Sequence, residues 1–291
     1  MRFSRVLRVG AVVAAASLIL AACGNGDDEA VPEVEEVNPA DFAEGSTMRT
    51  LAEAGSIKIG TKFDQPLFGL KAPAGAPEGF DVEIGRIIAG ELGIADDRIE
   101  WVETVSANRE PFIQNGQVDI VVATYTINDE RKEVIDFAGP YYTAGQSLLV
   151  LEDNTDINGP DDLAGKTVCS VEGSTPAQNI RENYPDAELE LTDAYSNCLE
   201  PMRQGQVDAL TTDNVILSGF VDQNPDEFKL VGDLFTEEPY GIGLEKGDDE
   251  FRDFINDVLE ASYEDGRWEA AWEKTAGKVL ELPEPPTVDR Y

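Results

Sequence analysis

Residues 118–142 restrict the fold of this chain more than any other segment. Val118 to Ala123 is a nearly all-apolar run, which is typical of a strand buried on both faces of a mostly parallel sheet. Two hydroxyl side chains, Thr124 and Thr126, follow, and Asn128 is then a candidate for the N-cap of a helix. The chain therefore passes directly from a buried strand to a helix, which predicts an α/β fold.

The tip between this strand and helix is a candidate binding site, because open α/β sheets bind ligands at the carboxyl ends of their strands. Arg131 lies in the first turn of the predicted helix, where a positive charge opposes the helix dipole. An anionic ligand would explain the arginine. An exposed ion pair with Glu130 or Glu133 explains it equally well, so this segment alone does not decide between the two.

Composition excludes several classes of function. The 291 residues include 22 basic and 58 acidic side chains, a net charge of -36, which argues against nucleic acid or an anionic membrane surface as a binding partner. The chain has no histidine, which excludes a Ser-His-Asp triad, a Cys-His pair and histidine metal ligands. We expect neither an enzyme nor a catalytic residue, and no metal or cofactor.

The N-terminus has the pattern of an export signal. Residues 1–22 combine a basic start, a short apolar run and small residues, which predicts a secretory signal peptide. The sequence Leu-Ala-Ala-Cys that ends at Cys23 resembles the bacterial lipobox, which implies cleavage before Cys23 and lipidation of its thiol. An ordinary signal peptide with an incidental cysteine is the alternative. With lipidation, the protein is exported and anchored to the outer face of the cell membrane.

The remaining chain divides by composition and pattern. Residues 23–47 are acidic and contain few large apolar side chains, which predicts a disordered tether. A first lobe is expected over residues 48–144, a second lobe over 145–239, and a return to the first lobe over 240–280. Residues 281–291, rich in proline and glutamate, are expected to form a loose tail.

A weak internal repeat links the two expected lobes. Asn-Gly-Gln-Val-Asp at 115–119 recurs as Gln-Gly-Gln-Val-Asp at 204–208, and each copy precedes a predicted strand that ends in threonine. The first strand leads to Arg131 and the second to Asp213. Two similar lobes that face each other would therefore present a cation and an anion across a cleft, which is the complement of a zwitterion.

Other polar groups occur at predicted strand ends or helix starts. Lys62 follows a candidate strand, and Arg109 lies in the first turn of a helix, where an ion pair with a neighbouring glutamate is the alternative role. Ser174 and Thr175 begin a further helix, whose free N–H groups and hydroxyls could bind an anion. An ordinary capped helix is the alternative for that segment.

Two cysteines remain in the expected lobes. Cys169 and Cys198 are expected to form a disulfide, since the protein is expected to be exported. Closing a loop of about 30 residues would stabilise the fold by roughly 3.5 kcal/mol in the chain-entropy model. Two free buried thiols are the alternative.

Several of these segments together resemble the family 3 bacterial extracellular solute-binding proteins, which are the amino-acid receptors of ABC importers. The resemblance extends over about residues 56–275 and is carried by the motifs at 79–83, 124–131, 137–142, 173–175 and 212–213. It implies a type II periplasmic-binding-protein fold, with two lobes joined by two crossover strands. Further segments resemble the glutamate-binding lipoproteins of actinobacterial importers, namely 60–66, 168–178 and 208–213.

The resemblance implies a role for each candidate residue. Arg131 would bind the α-carboxylate of L-glutamate, and Asp213 its α-ammonium group. Arg109, assisted by Lys62, would bind the side-chain carboxylate. Hydroxyl and backbone groups would assist at four positions, Thr124, Thr126, Ser174 and Thr175.

The resemblance also implies the partners. These are an ABC permease with its ATPase, and the membrane through the lipid anchor, with the protein itself a monomer. Three alternatives stay open at this point. The protein could be a receptor for glutamine, aspartate or another polar amino acid, an amino-acid-sensing lipoprotein, or, more remotely, a dehydratase on the same fold.

Overall fold

The structure is a computed structural model that describes residues 37–291. The predicted signal peptide at 1–22 and the predicted lipidation site at Cys23 lie outside the described residues, as does most of the predicted tether. Within residues 37–291, no helix is both long and apolar enough to cross a membrane.

Strands and helices alternate along the described chain. The strands are β1 (Ile57–Thr61), β2 (Asp64–Gln65), β3 (Gly69–Leu70), β4 (Ile99–Glu103), β5 (Ile120–Val121), β6 (Asp136–Ala144), β7 (Gln146–Leu151), β8 (Thr167–Val171), β9 (Glu188–Thr192), β10 (Ala209–Asp213), β11 (Phe228–Val231) and β12 (Glu238–Leu244). The helices are α1 (Thr47–Ala54), α2 (Phe80–Glu91), α3 (Arg109–Gln114), α4 (Asp129–Lys132), α5 (Thr175–Asn183), α6 (Leu199–Arg203), α7 (Asn214–Gln223), α8 (Asp249–Asp265) and α9 (Arg267–Lys274).

Two five-stranded sheets organise these elements. The sheet of the first lobe has the order β4-β1-β5-β12-β6, and the sheet of the second lobe has the order β9-β8-β10-β7-β11. In each sheet the first two pairs are parallel and the last two are antiparallel. The α/β fold is confirmed, but the sheets are mixed where the sequence predicted mostly parallel ones. The reason is that the crossover strands β7 and β12 run against their neighbours.

The repeated Gln-Val-Asp segments occupy equivalent positions in the two sheets. Asp119 accepts a hydrogen bond on Oδ2 from the backbone N–H of Lys58, at 2.7 Å, beside the start of β1. Asp208 accepts the equivalent hydrogen bond on Oδ2 from the backbone N–H of Thr167, at 2.8 Å, at the start of β8. Each aspartate therefore fixes the register between the central strand that follows it and the strand beside it.

The chain crosses between the sheets twice, and the two crossing segments touch. Gly145 joins β6 to β7, and a Cβ atom added to it would lie only 2.8 Å from the carbonyl oxygen of Thr236 in the returning segment. The backbone N–H of Gln146 donates to the hydroxyl of Thr236 at 3.0 Å, and the N–H of Phe235 donates to the Gln146 carbonyl at 3.1 Å. The two lobes are therefore joined by a narrow pair of adjacent strands.

An aromatic cluster fills the core of the first lobe. Trp268 and Trp272 are almost fully buried and stack with ring centroids 6.2 Å apart. Phe80 and Tyr142 each lie 5.1 Å from Trp272. The two tryptophans pack in the core, and each aromatic pair adds about 0.5–1.5 kcal/mol beyond the burial of its area.

A disulfide joins Cys169 to Cys198, as the sequence predicts. It ties strand β8 to the short 3-10 helix Tyr195–Cys198 that precedes α6. The second lobe therefore holds Tyr195 close to the end of β8.

Both ends of the described chain pack against the first lobe. Phe42, within the predicted tether, meets Phe254 edge to face at 5.7 Å. At the other end, the N–H of Asp289 donates to the Gly139 carbonyl at 2.8 Å, and the Tyr291 hydroxyl accepts from a backbone N–H of β6 at 2.9 Å. The expectation of a loose tail over 281–291 is therefore corrected for its end, since residues 281–287 have no regular secondary structure and are mostly exposed. Its last residues supply partners for backbone groups of β6, which is an edge strand.

Gly79 is the residue whose replacement we expect to damage the fold most directly. Its φ is +135°, and a Cβ atom would lie 2.2 Å from both the carbonyl carbon and the carbonyl oxygen of Phe68. Gly75 has a similar backbone, with φ +99°, but open space around it. We expect Gly75→Ala to lower the free energy of unfolding by about 1–2 kcal/mol through backbone strain. Gly79→Ala should lower it by about 1–3 kcal/mol more, because the clash is added.

Urea unfolding of the two variants and the wild-type protein measures this difference. Equal losses in the two variants would show that the backbone around Phe68 moves freely enough to absorb the clash.

Candidate functional site

A small cavity lies between the two lobes, at the carboxyl ends of β5 and β10. Both lobes contribute to its wall, which is formed by Ser106, Arg109, Thr124, Thr126, Ser174, Thr175, Pro176, Tyr195, Asp213 and Ile216. Six of the eight ligand-binding residues predicted from sequence are among these. The other two, Lys62 and Arg131, donate hydrogen bonds to the wall residues Ser106 and Thr126.

Arg131 is held in place by the turn that precedes it. The Asn128 side chain caps α4 by accepting the Arg131 N–H at 2.9 Å. The guanidinium donates from Nη1 to the Thr126 carbonyl at 2.6 Å, and Nε lies 3.2 Å from Oε1 of Glu110. The carboxylate partner therefore comes from α3, and neither of the two glutamates proposed from sequence pairs with this arginine.

Arg109 is buried at the start of α3, and its neighbours are backbone carbonyls. Nε donates to the Ser106 carbonyl at 3.2 Å, and Nη1 donates to the Ala123 carbonyl at 3.3 Å. Within residues 37–291, no carboxylate forms an ion pair with this guanidinium, so the alternative role that the sequence left open is not observed. The hydrogen-bond acceptors of this buried cation are therefore neutral peptide groups.

The two arginines converge on one oxygen atom of the second lobe. The carbonyl of Gly173 accepts from Nη2 of Arg109 at 3.2 Å and from Nη2 of Arg131 at 3.0 Å. Both guanidinium groups also lie over the Tyr125 ring, at 4.2 Å and 4.9 Å from its centroid. Burial, together with the neighbouring charge of Arg109, lowers the pKa of Arg131 to about 10. Within residues 37–291, two guanidinium groups meet here with carbonyl acceptors and the carboxylate of Glu110 as the one ion-pair partner, which favours an anion.

Lys62 adds a third cation to the same side of the cavity. It is buried, and Nζ donates to the Ser106 hydroxyl at 2.7 Å. Burial, and then the charge of Arg109, lowers the pKa of Lys62 to about 7. Among the buried cations of residues 37–291, only Lys62 and Arg109 lack an ion-pair partner, since Arg131 pairs with Glu110 and Arg252 with Asp249.

Asp213 provides an acidic side chain from the end of β10. Its Oδ2 accepts from the Tyr240 hydroxyl at 2.6 Å, whereas its Oδ1 is buried without a hydrogen-bond partner in the part of the chain that the structure describes. Burial, and then the charge of Glu238, raises the pKa of Asp213 to about 8. A buried oxygen with a free lone pair in a cavity wall is an acceptor suited to a cationic group.

Thr124 takes an unusual backbone conformation that a buried aspartate maintains. Its φ is +43°, a strained region for a β-branched residue. Asp81 accepts the Thr124 N–H at 2.8 Å and the Tyr141 hydroxyl at 2.6 Å, while the Thr124 hydroxyl donates to Gln65 at 3.0 Å. Burial raises the pKa of Asp81 to about 7. Asp81, which belongs to the glycine-containing motif at 79–83, therefore holds the backbone of Thr124 at the strand tip.

The two hydroxyls at the start of α5 have different roles. Ser174 caps the helix, because its Oγ accepts the Ala177 N–H at 3.1 Å and donates to the Val171 carbonyl at 2.7 Å. Thr175 instead donates from Oγ1 to Oε2 of Glu238 at 2.7 Å. The ordinary capping role accounts for Ser174, and Thr175 is directed across the cleft.

Sequence patterns did not identify several residues of this site. Glu238 lies in a crossover strand without a strand tip or helix start to mark it, and Ile216 is one apolar residue among many in α7. The sequence contains weak signals for two others. Tyr195 lies close to Cys198 in the sequence, and Ser106 lies close to a predicted helix start. Residues 37–291 contain no cluster of acidic or cysteine side chains arranged to hold a metal ion.

The two lobes and the charged cavity between them define a two-lobed solute-binding protein. A family model described as bacterial extracellular solute-binding proteins, family 3, matches residues 57–278. The chain therefore belongs to this family, which confirms the resemblance seen in the sequence.

Individual relatives agree with this assignment. The chain is 41% identical over 286 residues to the glutamate-binding protein GluB of Corynebacterium glutamicum, which covers 93% of this chain and 91% of that protein. It is 39% identical over 263 residues to the ABC transporter glutamine-binding protein GlnH of Bacillus subtilis, covering 89% and 92%. A solved structure of an ancestral arginine-binding protein bound to glutamine matches with a TM-score of 0.72 at 36% identity, over 76% of this chain and 97% of that one.

Gly173 offers a test of the closed cleft. Its φ is +77°, and a Cβ atom would lie 2.8 Å from the Cα atom of Ala107 in the opposite lobe. Gly165 has a similar φ of +71° and open space around it, so Gly165→Ala is a matched control. We expect Gly173→Ala to oppose closure and to weaken ligand binding about tenfold, since overpacking costs about 1–3 kcal/mol.

Small-angle scattering of the three proteins, with and without the ligand that the wild-type protein binds, measures closure. Compaction of Gly173→Ala equal to that of Gly165→Ala would contradict the expectation.

Proposed function

We propose that this protein is the substrate-binding component of an ABC amino-acid importer, and that it binds L-glutamate between its lobes. The observation that carries the proposal is a pair of buried cations, Lys62 and Arg109, that form no ion pair within residues 37–291. Together with Arg131 on the same side and Asp213 in the second lobe, they form a site for two negative groups and one positive group. L-glutamate has that set of charges at neutral pH.

In this proposal each charge of the ligand has its own partner. Arg131 binds the α-carboxylate, for which a planar guanidinium gives directional paired hydrogen bonds. Asp213 binds the α-ammonium group through its free Oδ1. Arg109 and Lys62 bind the side-chain carboxylate, and the hydroxyl groups at the cavity wall complete the contacts. Ligand oxygens would take over from the Gly173 carbonyl as acceptors for the two arginines.

The transport role follows from movement of the lobes. Two adjacent crossover strands connect them, an arrangement that permits hinge closure around a ligand. The closed form is the state that a membrane permease and its ATPase would recognise. We propose that the protein acts as a monomer outside the cell membrane, anchored through Cys23, and that it makes or breaks no bond in its ligand. The dehydratase alternative would act on prephenate or arogenate, so recovery of both compounds unchanged after incubation would support the last point.

The names of the relatives support the class of ligand and leave its side chain open. One of the two relatives above is called a glutamate-binding protein and the other a glutamine-binding protein. The choice of L-glutamate over L-glutamine therefore rests on this chain's own cations. A neutral amide would leave Lys62 and Arg109 without a negative partner.

Two arginine variants should separate recognition of the α-carboxylate from recognition of the side chain. We expect Arg109→Gln to lose at least about 2 kcal/mol of affinity for L-glutamate, about 30-fold, while L-glutamine binding changes by less than about threefold. Arg131→Gln should weaken both amino acids by similar factors, because both contain the α-carboxylate. Calorimetric titration of the wild-type protein and both variants with L-glutamate, L-glutamine and L-aspartate measures these affinities.

The titration has two informative contrary results. If Arg109→Gln weakens L-glutamate and L-glutamine equally, Arg109 holds the lobes together and does not select the side chain. If the wild-type protein prefers L-glutamine, the family and the transport role stand, and the assignment of glutamate is wrong.

The lowered pKa of Lys62 predicts proton uptake on binding. With a pKa of about 7, the amine is mostly neutral at pH 8, and a bound carboxylate beside it would raise the pKa again. Binding of L-glutamate at pH 8 should therefore take up as much as about 0.9 proton more than binding of L-glutamine. The contribution of Asp213 is common to both ligands and cancels in the difference.

Titrations in two buffers with different ionisation enthalpies measure this uptake. The Lys62→Met variant should abolish the difference between the two amino acids. A difference that persists in Lys62→Met would assign the proton to another group.

A further inference from the structure

Glu238 collects three hydroxyl groups at the point where the lobes meet. It is the first residue of the crossover strand β12 and is 3% exposed. Its Oε2 accepts from Thr126 of the first lobe and from Thr175 of the second, each at 2.7 Å. Its Oε1 accepts from Thr236 in the crossing segment, also at 2.7 Å. Two of these three hydroxyls, Thr126 and Thr175, line the cavity.

The direction of these hydrogen bonds determines what the two hydroxyls can offer a ligand. A hydroxyl has one proton to donate and two lone pairs that accept. The carboxylate of Glu238 has no proton to give, so Thr126 and Thr175 both use their protons on it. Their oxygen atoms lie 3.2 Å apart, close enough for Thr175 to share its proton with Thr126 as well as with Glu238, and the remaining lone pairs are available to the cavity. The pair is therefore able to accept from a ligand and is not free to donate to one.

We infer that Glu238 is a positioning residue for the ligand's ammonium group. By taking the protons of Thr126 and Thr175, it turns both hydroxyls into acceptors that act beside the free oxygen of Asp213. The inference rests on the proposed function, since it requires an α-amino acid as ligand. It also changes the role expected for these threonines, because hydroxyls that donate to Glu238 do not assist in binding a carboxylate. Since Thr175 comes from the opposite lobe, this acceptor pair forms only when the lobes meet.

Exchange of Glu238 for glutamine should reverse the polarity of at least one hydroxyl. The amide keeps the shape of the side chain but offers two N–H donors, so a threonine that accepts from it turns its own proton toward the cavity. The readout is the ratio of affinities for L-glutamate and glutarate, which has the same two carboxylates and no amino group. We expect Glu238→Gln to lower this ratio about tenfold.

Two controls make the result specific. Thr236→Val removes the third hydroxyl on the same carboxylate, which does not line the cavity, and should leave the ratio within about twofold. In a protein that already carries Thr126→Val and Thr175→Val, Glu238→Gln should have no further effect on L-glutamate affinity, because it acts through those hydroxyls. If Glu238→Gln does not fold, Thr175→Val takes its place and Thr175→Ser, which keeps the hydroxyl, is its control. The ratio of affinities for L-glutamate and glutarate should then fall in the valine variant and not in the serine variant.

The outcomes separate this inference from the proposed function. An unchanged ratio in Glu238→Gln, or an additive loss in the triple variant, overturns the role of Glu238 and leaves glutamate binding intact. Failure of the wild-type protein to bind any α-amino acid overturns the proposed function and this inference together. If another amino acid binds, the ratio is measured with that amino acid and its deaminated analogue.

Discussion

The two guanidinium groups that share the carbonyl of Gly173 set the main physical constraint on this molecule. Removing an ion from water costs several kcal/mol even after relaxation, and a peptide oxygen carries only a partial charge in return. Within residues 37–291, Arg109 donates only to peptide oxygens and lies over the Tyr125 ring, and Lys62 beside it donates to a hydroxyl. The chain has few basic residues and many acidic ones, yet within residues 37–291 no carboxylate forms an ion pair with either of these two cations. Incompletely balanced charges in a cleft are typical of sites built to receive a charged ligand.

The scaffold explains how such charges come to face each other. The two sheets share one order of strand pairing, and Asp119 and Asp208 fix the register at equivalent points. The corresponding strands β5 and β10 therefore end on opposite sides of the cleft, one leading to Arg131 and the other ending in Asp213. The crossover strands complete the arrangement, because they allow the lobes to separate while Glu238, at the start of β12, remains between them. Strand β12 therefore both connects the two lobes and contributes Glu238 to the binding site.

The sequence could predict the α/β class and most of the cavity wall from local patterns, the disulfide from the expected export of a chain with two remaining cysteines, and the two-lobed fold from the family resemblance. A buried run followed by hydroxyls and a helix cap places Thr124, Thr126 and Arg131 at a strand tip without knowledge of the rest. It could not predict that Arg131 pairs with Glu110, since this contact depends on how α3 packs against α4. The anchoring of the tail through Tyr291 has the same origin, as it requires the edge of β6 to be free. Glu238 was missed because its role arises only where two lobes and a crossover strand meet.

Discrimination between an acidic and a neutral ligand cannot be argued from overall similarity, because relatives of both names match this chain to nearly the same degree. It depends on the balance of charge inside the closed cavity. A ligand amide has one oxygen to offer Lys62 and Arg109, and it also brings two N–H donors that need acceptors. Carbonyl groups such as that of Gly173 can accept from those donors, but the amide has no charge with which to balance the cations. Leaving a buried charge without its partner costs about 2–5 kcal/mol, which is enough to make the carboxylate the preferred ligand group by a factor of 30 or more.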